Sequence, residues 1–205
     1  MDILKVELLS NTPNPEELIE KAGRVCYQSE TKTEKIRRVF IQNIIRRGHT
    51  SVLEHASASF LVDGISRACS HQLVRHRIGF SFSQTSQRYV KVENLTENYV
   101  IPESIKFSPE ALERMDDVIE FIGNQYEYLT HDLGVPKEDA RYILPNATFT
   151  SIMVTANFRA WRNFLELRCD KHAQKEIRDM AQIILQHLNS IAPIVFGDLY
   201  KKYAI

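Results

Sequence analysis

The apolar positions of the chain repeat mainly at the three- and four-residue spacing of α-helices. The strongest stripe follows Ser108 and Pro109, which predict a helix start, and it ends before Gly134. Its members are Leu112, Met115, Val118, Ile119, Ile122, Tyr126 and Leu129. The same spacing predicts further helices over residues 15–28, 33–48, 66–77, 137–142, 158–170 and 173–191.

Two of these predicted helices carry specific expectations about their ends and apolar faces. In the helix over 15–28 the apolar residues that fall on one face are Leu18, Ile19, Ala22, Val25 and Cys26. In the helix over 33–48 Thr33 is the predicted N-terminal cap and Gly48 the predicted stop.

Three shorter segments alternate between apolar and polar residues or are rich in β-branched residues. They cover residues 2–9, 57–63 and 148–156 and predict strands, while residues 90–105 predict strand or loop. We therefore predict a mostly helical α+β fold with a small mixed or antiparallel sheet. Since 205 residues lie near the upper end of one ordinary domain, we expect a single domain spanning residues 1–205.

Charge and cysteine content narrow the class of protein. Lys plus Arg and Asp plus Glu both number 26, which argues against attraction of the whole protein to nucleic acid or an anionic membrane. The chain shows neither a signal-peptide pattern nor an apolar run near the ~18 residues of a membrane span, so we expect a cytoplasmic protein. The three cysteines lack C-x-x-C spacing and are expected to be reduced thiols.

Any phosphate site in this chain must rely on side chains rather than on a glycine-rich loop. The sequence has seven glycines and neither G-x-G-x-x-G nor G-x-x-x-x-G-K-[ST]. Residues 75–89, RHRIGFSFSQTSQRY, instead concentrate arginine, hydroxyl and amide groups, which suit an anion or nucleotide site. Two alternatives stay open here: a solvated basic helix end, and a nucleic-acid-binding module in which Phe80, Phe82 and Tyr89 stack on bases.

The predicted helix over 66–77 would place several of these polar groups together. Gln72, Arg75 and His76 would share one face and converge on one ligand, because residues three and four apart are neighbours on a helix. Arg77 would point elsewhere. One helix end could then contact two ligands that lie side by side.

A second polar set lies in residues 159–174. On a helix Arg159 and Asn163 would share one face, and Arg168 and His172 would share a roughly opposite face. The remaining charged residues are expected to form an ion-paired exposed surface: Arg162, Glu166, Asp170 and Lys171.

Cys169 and the histidine-rich segment offer two other chemistries. Cys169 beside Arg168 could be the nucleophile of a thiol-dependent methyltransferase, although a buried core thiol is the favoured interpretation. His49, Glu54 and His55 could ligate a metal, but a third ligand at suitable spacing is missing, so we predict no metal site.

Several motifs resemble those of one enzyme family, the flavin-dependent thymidylate synthases. Arg75-His76-Arg77 and Ser86-Gln87-Arg88-Tyr89 resemble its signature, with a spacer of eight residues where seven are usual. The segment 49–55, HTSVLEH, resembles the family's H-x-[ST]-x-x-E-H. Further blocks follow in the family's order, over residues 141–145, 157–159, 163–168 and 172–177.

The resemblance implies the reductive methylation of dUMP to dTMP. Methylenetetrahydrofolate would be the carbon donor, and FAD, reduced by NADPH, would supply the hydride. It also implies a fold specific to the family and unrelated to a Rossmann domain. The implied assembly is a homotetramer with shared active sites, without nucleic-acid or membrane partners.

The resemblance also assigns residues to each ligand. The FAD set is Ser51, Glu54, Arg75, His76, Arg77, Ile78, Asn157, Arg159 and Asn163. The nucleotide set is Gln72, Arg75, Gln84, Ser86, Gln87, Arg88, Arg141 and Arg168. Arg168 is the expected catalytic residue, because a guanidinium at the uracil imide would stabilise the negative charge that develops on the ring. The longer spacer leaves residues 79–83 unassigned.

Overall fold

The computed structural model describes residues 4–26, 28–30 and 33–203 and confirms the mostly helical α+β fold. Its four strands are β1 Lys5–Asn11, β2 Ser57–Ser66, β3 Phe80–Gln84 and β4 Phe149–Asn157. They form one sheet in the order β1-β2-β4-β3. Each strand pair in the described part of the chain is antiparallel, so of the two predicted kinds of sheet the antiparallel one is correct.

Helices make up most of the remaining chain. They are α1 Pro15–Val25, α2 Glu34–Arg46, α3 Arg67–Leu73, α4 Glu103–Lys106, α5 Pro109–Glu127, α6 Lys137–Ala140, α7 Phe158–Arg168, α8 Lys175–Ile191 and α9 Pro193–Tyr203. Short segments of 3-10 or π helix cover Thr50–His55, Leu95–Glu97, Tyr128–Asp132 and Arg141–Ile143. Among the residues described, no helix combines the length and apolar character needed to cross a membrane.

The core lies between one face of the sheet and helices α7, α8 and α9. Phe60 on β2 and Val154 on β4 are paired in register and fully buried. Trp161 on α7 packs edge-on against Phe60 with ring centroids 5.3 Å apart, and its Nε1–H donates to the Ala58 carbonyl oxygen over 3.1 Å. This packing fixes α7, which carries several candidate site residues, on the sheet.

The local signals for helix ends are confirmed in α5. Ser108 caps this helix, because its Oγ accepts a hydrogen bond from the Ala111 N–H over 3.4 Å. Thr33 occupies the cap position of α2 without a side-chain bond, and Gly48 has the positive φ of 73° expected after a helix end.

The apolar face predicted for α1 is only partly buried. Leu18 is 37% exposed and Val25 is 69% exposed, whereas Ile19 is fully buried. The buried face also carries Glu20, whose carboxylate accepts hydrogen bonds from Arg24 over 2.8 Å and from Arg37 over 3.1 Å. Ion pairing lets these polar groups enter the interior, which hydrophobic spacing alone does not predict.

Strand β3 and helices α4 and α9 were not predicted, and helix α3 was predicted too long. Most of α4 lies within residues 90–105, which were predicted as strand or loop. Strand β3 was missed although Phe80, Phe82 and Gln84 alternate with exposed serines at a period of two. Helix α9 was missed entirely. Helix α3 ends at Leu73 and not near Arg77, so the Arg75-His76-Arg77 segment belongs to the loop that leads into β3.

Arg162 was predicted to be exposed, and this is wrong. Its side chain is 8% exposed, and Nη1 and Nη2 each donate to the Asp198 carboxylate over 2.7 Å. Nη1 also donates to the Val195 carbonyl oxygen. The pair therefore ties α7 to the unpredicted helix α9.

Candidate active site

An open cleft of about 620 Å³ lies beside α7, at the loop between α3 and β3. Its lining residues are Arg75, His76, Arg77, Ile78, Phe80, Asn163, Leu167 and Arg168. Six of these eight belong to the predicted ligand-binding residues, and the volume falls within the range of about 300–1,000 Å³ that is common for ligand sites. This cleft is the candidate active site.

The loop that forms one wall of the cleft is held at both ends. The His76 N–H donates to the Leu73 carbonyl oxygen over 3.1 Å, which continues the end of α3. At the other end the Asn157 N–H donates to the Gly79 carbonyl oxygen over 3.3 Å. Gly79 has φ 76°, a conformation that glycine adopts without steric cost.

His76 and Arg168 meet within this cleft. Arg168 Nε donates to His76 Nε2 over 2.9 Å, and Arg168 Nη2 lies 3.5 Å from the Gln72 carbonyl oxygen. Burial lowers the pKa of His76 to about 4, and the positive charge of Arg168 acts in the same direction. The imidazole is therefore neutral near pH 7.

Gln72, Arg75 and His76 were predicted to share a helix face, and this is wrong because only Gln72 lies on α3. Its side-chain amide donates to the Gln174 side chain in the turn before α8. Similarly, His172 was expected to share a helix face with Arg168, but α7 ends at Arg168 and His172 lies in the following turn. The sequence prediction gave Gln174 no role.

The other residues of the FAD set surround the first turns of α7. Arg159 and Asn163 are exposed one turn apart on this helix. Arg159 pairs with Glu54 over 2.6 Å, which joins α7 to the 3-10 helix Thr50–His55 that also carries the exposed Ser51. Asn157 caps α7 by accepting a hydrogen bond from the Ala160 N–H over 2.9 Å.

The Asn157 cap also restricts position 79, to which the sequence prediction gave no role. A Cβ atom at Gly79 would lie 2.8 Å from Asn157 Nδ2 and 2.9 Å from the Ala160 Cβ. The glycine therefore allows the loop to approach α7. The Ile-Gly-Phe sequence was a signal for this, because a lone glycine ahead of a strand often marks a close backbone approach.

Several residues of the nucleotide set form a second group that does not line the cleft. Gln84 donates to Ser70 Oγ over 2.8 Å and to Thr150 Oγ1 over 3.0 Å, so its amide is held in place. Ser86 and Gln87 lie in the turn after β3, where Ser86 Oγ accepts from the Arg88 N–H over 3.3 Å.

Glu138 at α6 brings two arginines of this second group together. The Arg88 guanidinium donates to the Glu138 carboxylate over 2.8 Å, while Arg141 donates to the Glu138 carbonyl oxygen over 3.0 Å. The side chains of the Arg88–Glu138 pair are about half exposed. An exposed pair of this kind contributes little to stability, so its arginine remains available to a ligand.

Arg67 joins this group and was missed by the sequence prediction. Its guanidinium donates to the Thr85 carbonyl oxygen over 3.2 Å. Burial and the neighbouring Arg141 charge both lower the pKa of Arg67. Within the described ranges neither Arg67 nor Arg141 forms an ion pair with a carboxylate, so two positive charges face each other without a counter-ion.

The cleft residues suit a flavin nucleotide with its phosphates. Ile78 is 93% exposed and Leu167 is 56% exposed, which gives the wall an apolar surface open to a ring system. Arg75 and Arg77 are exposed beside them, and in the part of the chain that is described neither is paired with a carboxylate. Unpaired guanidinium groups are typical phosphate ligands.

The geometry supports neither of the two alternative chemistries, a nucleophilic Cys169 or a metal bound by His49, Glu54 and His55. Cys169 is 4% exposed, and burial raises the pKa of its thiol to about 12, so it is a protonated core thiol near pH 7. Among the residues that the structure describes, no group of three His, Cys, Asp or Glu side chains could hold a metal ion.

Comparison with known proteins covers most of the chain. The family model described as thymidylate synthase complementing protein matches residues 7–194. The flavin-dependent thymidylate synthase of Geobacter sulfurreducens is 43% identical over 202 residues, which cover 95% of this chain and 86% of that protein. The enzyme of the same name from Thermococcus onnurineus is 41% identical over 206 residues, covering 95% of this chain and 83% of that protein.

A third relative agrees with these two. The flavin-dependent thymidylate synthase of Mycobacteroides abscessus is 41% identical over 198 residues, which cover 88% of this chain and 78% of that protein. Identity of this extent, together with the family match, confirms the resemblance inferred from the motifs. The chain belongs to the family of flavin-dependent thymidylate synthases.

Proposed function

We propose that this enzyme carries out the reductive methylation of dUMP to dTMP at the cleft between α7 and the loop 75–79. FAD is the cofactor, and methylenetetrahydrofolate is the carbon donor. When bound, reduced FAD supplies the hydride that completes the methyl group. The protein's own side chains bind these ligands, orient them and stabilise charge on the substrate.

The observation that carries this proposal is the position of Arg168. Its Nε is occupied by His76 and its Nη2 is directed toward the Gln72 carbonyl oxygen, so the guanidinium is held at the cleft. A fixed guanidinium there would stabilise the negative charge that develops on the uracil imide. The neighbouring ring carbon then becomes nucleophilic without a protein thiol, which agrees with the buried, protonated Cys169.

The flavin would lie against the exposed wall of the cleft and the first turns of α7. Arg75 and Arg77 supply guanidinium groups for its phosphates, and Ile78 supplies an apolar surface. The remaining members of the proposed FAD set are His76, Ser51, Glu54, Asn157, Arg159 and Asn163. Their amide, hydroxyl and charged groups suit a nucleotide cofactor.

The phosphate of dUMP would bind at the second group of polar residues. Arg88 and Arg141 are in the predicted nucleotide set, and the uncompensated charges of Arg67 and Arg141 support an anion there. Ser86, Gln87 and Gln84 would orient the ribose and base, while Gln72, Arg75 and Arg168 would contact the nucleotide from the cleft.

The second group does not line the cleft of its own subunit, which supports active sites shared between subunits of a homotetramer. Exposed apolar residues on one face of α5 and its following turn support an interface between copies: Val118, Phe121 and Tyr128. We also propose that NADPH reduces the flavin, that residues 1–205 act as one domain, and that the enzyme works in the cytoplasm.

The test is the synthesis of dTMP by the purified enzyme. The protein reconstituted with FAD should be yellow and should form dTMP from dUMP, methylenetetrahydrofolate and NADPH. Omitting any one of these ligands should abolish the product. A protein that cannot be reconstituted with FAD, or that forms dTMP without it, would overturn the proposal.

A further inference from the structure

We propose that His76 is a positioning residue that orients the Arg168 guanidinium in the active-site cleft. The motif resemblance assigned His76 to flavin binding alone. This inference rests on the proposed role of Arg168 in dUMP activation. The hydrogen bond between His76 and Arg168 would then connect the Arg75-His76-Arg77 loop to the guanidinium that stabilises the uracil ring.

The hydrogen bond between Arg168 and His76 has a fixed direction. Arg168 Nε lies 2.9 Å from His76 Nε2 and can only donate, since a guanidinium has no acceptor atom. Nε2 must therefore be the unprotonated acceptor of a neutral imidazole, and the ring proton resides on Nδ1. Within the described residues this Nδ1–H has no hydrogen-bond partner, so it is available to a ligand in the cleft.

The imidazole of His76 is held in place by an aromatic neighbour. It packs edge-on against Phe164, with ring centroids 5.0 Å apart and an interplanar angle of 79°. Phe164 is fully buried, and it precedes Arg168 by four residues on α7, so both side chains lie on one face of this helix. Helix α7 thus carries both Phe164, against which the imidazole packs, and Arg168, whose guanidinium is bonded to that imidazole.

The contact leaves most of the guanidinium donors free for a ligand. With Nε bonded to His76 and Nη2 directed toward the Gln72 carbonyl oxygen, the plane of the guanidinium is fixed, and among the described residues the N–H groups on Nη1 have no partner. Loss of the acceptor would let the arginine rotate. Displacement of a catalytic group by about 1 Å can lower the rate about a hundredfold.

Conservative substitutions separate this role from flavin binding. His76→Gln places an amide oxygen near the position of Nε2 and keeps the acceptor, whereas His76→Asn places its amide near Nδ1. We expect His76→Gln to retain kcat within about threefold, and His76→Asn and His76→Leu to lose about tenfold or more. The exposed His71→Leu on α3 is the matched control and should behave as the wild type.

The decisive measurement is a double-mutant cycle on kcat at saturating FAD and dUMP. His76→Leu should lower kcat about tenfold in the wild type but less than about threefold in the Arg168→Lys background, because the Nε–H is already absent there. Equal losses in both backgrounds would overturn the proposal. So would a His76→Leu enzyme whose only defect is weaker FAD binding, measured by flavin fluorescence.

A readout independent of activity accompanies the cycle. In the protein labelled with ¹⁵N-histidine, the long-range proton–nitrogen spectrum should show His76 with a protonated Nδ1 and an unprotonated Nε2. The signal is assigned by its loss in His76→Gln, and the opposite tautomer would contradict the inference. If instead the wild-type enzyme forms no dTMP, the proposed function fails while the tautomer result still tests the hydrogen bond.

Discussion

Gly79 and Asn157 approach each other so closely that a Cβ atom on Gly79 would lie 2.8 Å from Asn157 Nδ2. Gly79 comes from the cleft loop and Asn157 is the N-terminal cap of α7. The contact fixes the distance between the loop that carries Arg75-His76-Arg77 and the helix that carries Arg168. The geometry of the cleft therefore depends on the absence of a side chain at position 79.

The first prediction is that Gly79→Ala weakens FAD binding at least about tenfold and lowers the thermal midpoint. The methyl group would push Asn157 from its capping position, and the positive φ adds a cost of about 1 kcal/mol. FAD titration and thermal unfolding measure the two effects. Gly134→Ala is the matched control, since Gly134 has φ 64° with open space around it, and it should bear only the backbone cost. Equal effects of both substitutions would show that crowding at Asn157 is unimportant.

The second prediction concerns Arg67, which lies beside Arg141 without a carboxylate partner among the described residues. Arg67→Ala should raise KM for dUMP about tenfold and leave FAD affinity unchanged, because a charged hydrogen bond to phosphate contributes about 1.5–3 kcal/mol. Arg114→Ala, an exposed arginine on α5, serves as the control in the same steady-state assay. An unchanged KM in Arg67→Ala would place the phosphate elsewhere.

The third prediction tests the thiol alternative. Cys169→Ala should keep kcat within about twofold and lower the thermal midpoint by a few degrees, because the thiol is a buried core group. Initial rates and the flavin spectrum are measured on the same preparation. Loss of turnover with full FAD content would favour Cys169 as the nucleophile and contradict the role given to Arg168.

The fourth prediction is a pH dependence of stability that comes from His76. Burial first, and the charge of Arg168 second, lower its pKa from the ordinary histidine value of 6.5 to about 4 in the folded protein. Between these values the unfolded chain binds more protons than the folded one, so the free energy of unfolding should fall as the pH decreases from 6.5 toward 4.

Thermal midpoints across this pH range measure the effect. His76→Gln has no titrating group at this position, so its midpoint should fall less steeply with acid than that of the wild type. His71→Gln should follow the wild type, since His71 is exposed. Parallel curves for the wild type and His76→Gln would mean that the neutral state of His76 is not linked to folding.

Local sequence signals correctly predicted helix ends that are determined by residues within one turn. Ser108 and Pro109 predicted the start of α5 because a cap and a first-turn proline act within a single turn. The helix end of α3 was placed too far along the chain, since Arg75 and His76 have helix-compatible residues on both sides and the stop is not marked by glycine or proline. The short strand Phe80–Gln84 was not predicted because its residues lie within the polar segment 75–89, which was interpreted as a ligand-binding motif.

The missed contacts join residues that are distant in sequence. The bond between His76 and Arg168 spans 92 residues, and the Arg162–Asp198 pair spans 36 residues. Spacing arguments apply within one helix or strand and contain no information about such pairs. The motif resemblance supplied the candidate site residues, but the hydrogen-bond partner of each side chain became known only from the fold.

The central claim is that Arg168 activates dUMP while other residues hold the flavin. The most direct measurement is dTMP formation by Arg168→Ala, made together with the flavin absorption spectrum of the same sample. We expect synthesis to fall at least about a hundredfold while the FAD content stays at the wild-type level. Synthesis at the wild-type rate with FAD bound would contradict the claim.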